Sequence, residues 1–387
     1  MENSKSLYKA FTKLAVKLAI IRGKNLDEAK KLVLLKFENH PFEKHIIKSI
    51  KKDEFNQKIL EELSFDCLQV CKDFGPDRDY LTLVLILESI NKTRVKGVVR
   101  ARETNKIVKD FRKSIEIINT NIGAPPMYNM LLETRSLIEW TTMFGIYHII
   151  PKQKKGNNKP VLLMPPYLGN DHSTRFVRKY LKSVGFKTYK WELGVNTINS
   201  KYLPKLIERL DEIYERHQEK VSLVGWSGGG ILAKIIANRY PEKVEQLITI
   251  GSPVWGVKNM NTPLVRTLEF LRGRRLKERN KKFLEELEEI PNVPVTCIYT
   301  KTDGLVPWRN CLEAETYRSN IRNVEVFGSH CGLGANASVL VTIANALIEN
   351  SQGESPQGTI TKIENIFFPK FWKQKKSAII NGLLLKA

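Results

Sequence analysis

Between about residues 160 and 350 the chain alternates short apolar runs with longer amphipathic ones. A strand is predicted from Val161 to Met164, followed by a helix marked by Phe176, Tyr180 and Leu181 and then by the run "FKTYKWEL". A second helix is predicted from about Lys201 to His217, with "VSLVG" after it, and Ile231, Leu232, Ile235 and Ile236 mark the next helix by their i, i+4 spacing. "EQLITIG", "VTCIY" and "NVEVF" bring the predicted strands to six. Strands that alternate with helices imply an α/β architecture, a mostly parallel sheet with helices on both faces. From about 258 to 291 this alternation breaks down into "LVRTLEFLRGRRLKERNKKFLEELEEI", a charged helical insertion that reads equally as a lid or as a solvated helix pair.

The first 125 residues lack strand-turn alternation and follow helical periodicity throughout. In "LYKAFTKLAVKLAIIRG", Phe11, Leu14, Leu18 and Ile21 form one stripe and Lys9, Lys13 and Lys17 another. Such a helix packs its apolar stripe on a domain, or lies on an anionic membrane surface. Packing is the commoner outcome and is expected here. "YLTLVLILESI" is too short to span a bilayer and predicts a buried helix. Gly123, Pro125 and Pro126 in "NTNIGAPPMYN" break the helical pattern, so the expected division is a helical region of unknown role at 1–125, an α/β domain at 126–352 and a tail at 353–387.

The densest glycine cluster, "LVGWSGGGILAK" at 223–234, lies between a predicted strand and a predicted helix. A nucleotide-phosphate loop would need Lys and Ser or Thr after its last glycine, and Gly230 is followed by Ile231 and Leu232. A dinucleotide fingerprint would need an acidic residue about 20 positions on, and "LITIGSPV" has none. Gly225, Ser227 and Gly229 satisfy G-x-S-x-G, in which a serine stands on a sharp strand-to-helix turn and its neighbours must lack side chains. A serine hydroxyl needs a histidine base and a carboxylate to orient that base. Beyond Ser227 the chain has one aspartate, Asp303, and one histidine, His330, each in a loop just past a predicted strand. Taken singly, Asp303 reads as a turn cap and His330 as a surface loop residue; together in the order Ser, Asp, His they read as a triad. An oxyanion would be bound by the N–H groups of Gly228 and Tyr167, since Pro165 and Pro166 in "KPVLLMPPYLGND" have none.

From about Leu131 to about Gln352 the chain resembles the α/β-hydrolase superfamily, specifically a bacterial lipase/esterase-like branch. The resemblance rests on "LLETRSLIEW", "PVLLMPPYLGNDHSTRFVRKYLKSVGF", "VSLVGWSGGGILAKIIANRYPEKVEQLITIGSP", "PVTCIYTKTDGLVPW" and "NVEVFGSHCGLGANASVL". It implies Ser227, Asp303 and His330 as triad and Tyr167 with Gly228 as oxyanion hole. This chain departs in two places. Pro166 stands where the branch has glycine before an aromatic, which stiffens the oxyanion loop, and Gly228 stands where leucine is common, which widens the space beside Ser227.

The chain has 63 Lys and Arg against 41 Asp and Glu, a net charge of +22. Ordinary composition ranks first as the reason, an anionic membrane surface second and nucleic acid third, because no nucleic-acid recognition module is present. The tail interleaves Phe367, Phe368, Phe371 and Trp372 with Lys370, Lys373, Lys375 and Lys376, a combination suited to a lipid headgroup interface. Five cysteines, an odd number, form no disulfide framework. Cys67 and Cys71 sit one helical turn apart as packing residues, and Cys331 beside His330 competes with Ser227 only on paper. No secretory signal is visible, so a cytoplasmic protein is expected, with peripheral contact to an anionic membrane as the second-ranked reading of its charge. No cofactor and no metal are expected, and no nucleic-acid partner; the substrate is a small-molecule or lipid ester. The functional expectation is a serine hydrolase of carboxylic esters, with an acyltransferase or a non-enzymatic lipid- or protein-binding scaffold as rivals.

Overall fold

The computed structural model describes residues 2–36, 43–52, 59–74, 79–93, 98–119, 122–152, 156–257, 260, 262, 265, 281–313 and 321–352. The tail at 353–387 and nearly all of 258–280, where the insertion and its lid reading fall, lie outside the described residues. The chain divides into two compact units between Ile122 and Gly123.

The first unit is helical: α1 (Glu2–Ile21), α2 (Leu26–Lys36), α3 (Glu43–Lys52), α4 (Leu60–Phe74), α5 (Asp79–Asn91) and α6 (Val98–Asn119). Phe11, Leu14 and Leu18 of α1 are buried in its core against Ile46, Leu63, Leu87 and Phe111. The apolar stripe of α1 is thus used up inside its own unit, and its lysines face outward or sideways. α5 buries Tyr80, Leu83, Val84, Leu87 and Ile90, and no described helix is long and apolar enough to cross a membrane. Cys67 and Cys71 lie in the same core, where a hydrogen bond between them and burial push the Cys67 thiol pKa well up.

The second unit is built on six parallel strands: β1 (Pro160–Met164), β2 (Lys187–Tyr189), β3 (Val221–Trp226), β4 (Val244–Ile250), β5 (Val295–Tyr299) and β6 (Ile321–Glu325). Their order across the sheet is β2-β1-β3-β4-β5-β6. Period-two alternation sends neighbouring side chains to opposite faces. Leu162, Met164, Leu223, Leu247 and Val295 face one layer, with α10 (Tyr202–His217) and α11 (Gly228–Arg239). Val161, Leu163, Val224, Ile248 and Ile298 face the other, with α9 (Arg175–Val184) and α13 (Ala337–Gln352). Of "FKTYKWEL" only three residues are strand. As an edge strand it has one neighbour, and Asp171 takes over the next backbone amides, Trp191 N (3.1 Å) and Glu192 N (3.3 Å).

At the end of the charged insertion, α12 (Lys281–Glu288) is an ordinary amphipathic helix docked on α11. It buries Leu284 and Leu287, and Glu286 pairs with Arg239 at 2.5 and 2.8 Å. A further segment precedes the sheet: α7 (Met127–Leu132), a short 3-10 turn (Glu133–Arg135) and α8 (Ser136–Ile146). Its inner side chains reach the functional end of the sheet. Because β1 and β3 leave toward opposite sides of the sheet, their C-terminal ends frame the crevice where sites form in open parallel sheets.

Candidate active site

At the end of β3 the chain turns within one residue. Ser227 has φ +50° and ψ −117°, a conformation seldom adopted by a residue with a side chain, and α11 starts at the next position. Two bonds hold it there: Ser227 N–H donates to Ile250 O (2.8 Å) and Gly230 N–H to Ser227 O (3.0 Å). A Cβ at Gly225 would stand 2.5 Å from Gly230 N, and one at Gly229 2.6 Å from Pro165 O. The glycines are therefore required by close backbone approach, as the motif predicts.

The three loops converge. His330 Nε2 lies 2.9 Å from Ser227 Oγ and His330 Nδ1 lies 2.6 Å from Asp303 Oδ2. All three side chains are buried. Asp303 keeps its other oxygen occupied: Oδ1 accepts the N–H groups of Leu305 (2.8 Å) and Val306 (2.7 Å), which fixes the carboxylate plane. Burial works to lower the His330 pKa, but the charge of Asp303, its hydrogen bond and the charge of Glu133 outweigh it, and the net shift is upward. Cys331, next in sequence, is pushed up to about 12 by desolvation and by Glu133. A thiol held toward its protonated form is a poor nucleophile at neutral pH, and the group in contact with His330 Nε2 is the Ser227 hydroxyl.

What the motifs did not reveal is the brace behind these loops. Glu133 Oε1 accepts the N–H groups of Gly304 (2.9 Å) and His330 (2.8 Å), and Oε2 that of Cys331 (3.0 Å). One carboxylate thus joins the aspartate loop to the histidine loop. Glu139 takes Ser329 by its N–H (2.9 Å) and its hydroxyl, and Arg135 Nη2 donates to Thr302 Oγ1 (2.6 Å) and Gly328 O (2.5 Å). Asn129 Nδ2 donates to Lys301 O (3.2 Å) and Asp303 O (3.3 Å). The visible trace in the sequence is the charge pattern of "LLETRSLIEW", where single charged residues interrupt apolar ones. Partners some 170 to 200 residues away leave no local mark.

On the other side of the serine, the loop after β1 brings Tyr167 N to the start of α11: a Cβ at Gly228 would lie 3.3 Å from it. The buried Asn196 holds this loop, donating from Nδ2 to Pro165 O (2.7 Å) and accepting Leu168 N–H at its backbone carbonyl (2.7 Å). The space that Gly228 was expected to open is filled. Ile198, a β-branched residue at φ +49°, sets its Cδ1 and Cγ1 2.6 Å from where a Cβ on residue 228 would be. Tyr167 N and the first residue of α11 thus lie close together beside Ser227.

Residues 183–293 match the family model described as a PGAP1-like alpha/beta domain. No curated protein matches the chain. Solved structures similar to it include one reported for LipS and LipT, metagenome-derived lipolytic enzymes (16% identity, 52% of this chain and 94% of that one, TM-score 0.40). Others are the Paleococcus ferrophilus monoacylglycerol lipase (14%, 52% and 98%, 0.37) and the mouse alpha/beta hydrolase domain-containing protein 10 (20%, 51% and 92%, 0.36). The layered, six-stranded parallel sheet and its strand order are those of the α/β-hydrolase fold, which in this chain follows a helical N-terminal region in the sequence.

Proposed function

We propose that this chain is a serine hydrolase that cleaves carboxylic esters through an acyl-enzyme. The observation that carries the reading is the continuous contact from Ser227 Oγ through His330 to Asp303, at 2.9 and 2.6 Å, on a serine held in a strained turn. With Nδ1–H donated to Asp303, His330 Nε2 accepts the Ser227 proton as the oxygen attacks the acyl carbon. Asp303 stabilises the resulting imidazolium. The N–H groups of Gly228 and Tyr167 receive the developing oxyanion. His330 then returns the proton to the leaving alcohol, and in the second half activates a water that releases the acid. The ester and one water balance these steps.

The resemblance to bacterial lipases and esterases supports an acyl ester as substrate. Water as acceptor is part of the proposal, since acyl transfer to an alcohol or thiol would use the same residues. The test is hydrolysis of a short-chain p-nitrophenyl ester with labelling by a fluorophosphonate. Ser227→Ala is expected to lose labelling and to fall to below about a thousandth of the wild-type rate. An unchanged rate sinks the reading, and failure of folded wild-type protein to label favours a non-enzymatic scaffold. Product carried to an added alcohol or thiol in preference to water would make it an acyltransferase.

A further inference from the structure

The segment that braces the histidine and aspartate loops turns an unusual face outward. From Met127 to Ile150 it carries three formally charged residues, Glu133, Arg135 and Glu139, and all three point inward onto the loops at 301–304 and 328–331. Its outward face has no formal charge, in a chain in which 27% of residues are charged. Leu131 is 69% exposed, Leu137 73%, Ile138 64% and Phe144 58%. A solvated helix face is normally polar, and contiguous exposed apolar side chains mark a surface that something covers. The face continues around the site: Leu168, next to Tyr167, and Phe327, three residues before His330, are each 66% exposed. Cations collar it. Arg175 lies 5.0 Å from the Phe144 ring and Lys179 4.6 Å from the Tyr147 ring.

We infer that this face docks the site on an anionic lipid surface. Apolar side chains enter the acyl boundary while aromatic rings and basic groups sit at headgroup level, and the collar together with the net charge of +22 selects negative headgroups. The preference for lipid over another protein rests on the ester-hydrolase reading, because the face surrounds a site proposed to take acyl groups; the docking itself requires no turnover.

Vesicle flotation of the full chain tests the inference, using phosphatidylcholine vesicles with and without phosphatidylglycerol. Wild type and Ser227→Ala should float equally with the anionic vesicles and poorly with the neutral ones. The double variant Leu137→Asp, Ile138→Asp should lose about tenfold or more of its vesicle affinity, as two leucine-sized side chains leave the apolar phase. Its thermal melt and its hydrolysis of a soluble short-chain ester should stay at wild-type levels. Wild-type-like flotation of that variant would overturn the inference, as would wild type that ignores anionic vesicles. A wild-type dimer that the variant converts to monomer, without vesicle binding by either, would reassign the face to a second copy of the chain. Vesicle binding without esterase activity would leave the docking intact and remove the proposed function.

Discussion

At the residue scale, the pH response of the site follows from two carboxylates, Asp303 and Glu133. As the proposed base His330 would work only when neutral, and although burial lowers its pKa, Asp303 and Glu133 raise it on balance, so the acid limb of kcat/KM should lie above that of an unperturbed histidine. Removing the Glu133 charge in Glu133→Gln should move that limb to lower pH, and a limb that stays put in a pH–rate profile would deny Glu133 its electrostatic share. Asp303→Asn should cost about 10³–10⁴ in kcat at neutral pH, since an amide can hold the wrong imidazole tautomer. Gly228 and Ile198 form a second residue-level test. Gly228→Ala alone should cut kcat and lower the melting temperature, because its Cβ meets Ile198 at 2.6 Å, and Ile198→Ala in the same chain should restore much of both. Additive losses in that cycle would mean that the two side chains do not share the space. The motif and the order Ser, Asp, His singled out Ser227, Asp303 and His330, and the structure brings these three side chains into contact. Ile198 was not legible: its position depends on a loop bent back over α11 by Asn196, whose Oδ1 accepts Ile198 N–H at 2.8 Å.

At the scale of elements, the strands could be read because short β-branched runs set between helices fit little besides a buried parallel sheet, and five of the six needed no revision in kind. β2 shrank because an edge strand is held on one side, and Asp171 competes successfully for its next amides. The junction of α11 with the end of the 3-10 turn after β5 (Trp308–Cys311) holds a pair that no pattern predicted. Lys234 and Glu313 are both fully buried and ion-paired, with Lys234 Nζ also donating to Val254 O at 3.1 Å and Asn323 bonding the Glu313 backbone at 3.0 and 2.9 Å. A lysine on the elbow helix reads as surface until the partner is known. Removing one member strands a charge in an apolar interior, so Lys234→Met and Glu313→Gln should each lose about 3–5 kcal/mol in denaturant unfolding. The double variant Lys234→Met, Glu313→Leu should recover most of that loss. Single variants within about 0.5 kcal/mol of wild type would show that water reaches the pair.

At the scale of the molecule, the two units have separate cores, one under α1 and two on the faces of the sheet. Differential scanning calorimetry should accordingly resolve two unfolding transitions, and loss of activity should track only one of them; a single transition with matching calorimetric and van't Hoff enthalpies would contradict this. Every residue assigned to the proposed chemistry belongs to the second unit, and these residues run from the brace at Glu133 to the histidine loop at 330. The brace and the base are 197 positions apart, with Ser227 and Asp303 made in between. The order of synthesis then becomes a safeguard. A growing chain that has already emerged past its serine still has no base to activate it, and Glu133 has no amides to hold. On the proposed mechanism Ser227 would remain an inert alcohol on the ribosome, and ester cleavage would begin only after His330 has been made and its loop has closed on the serine.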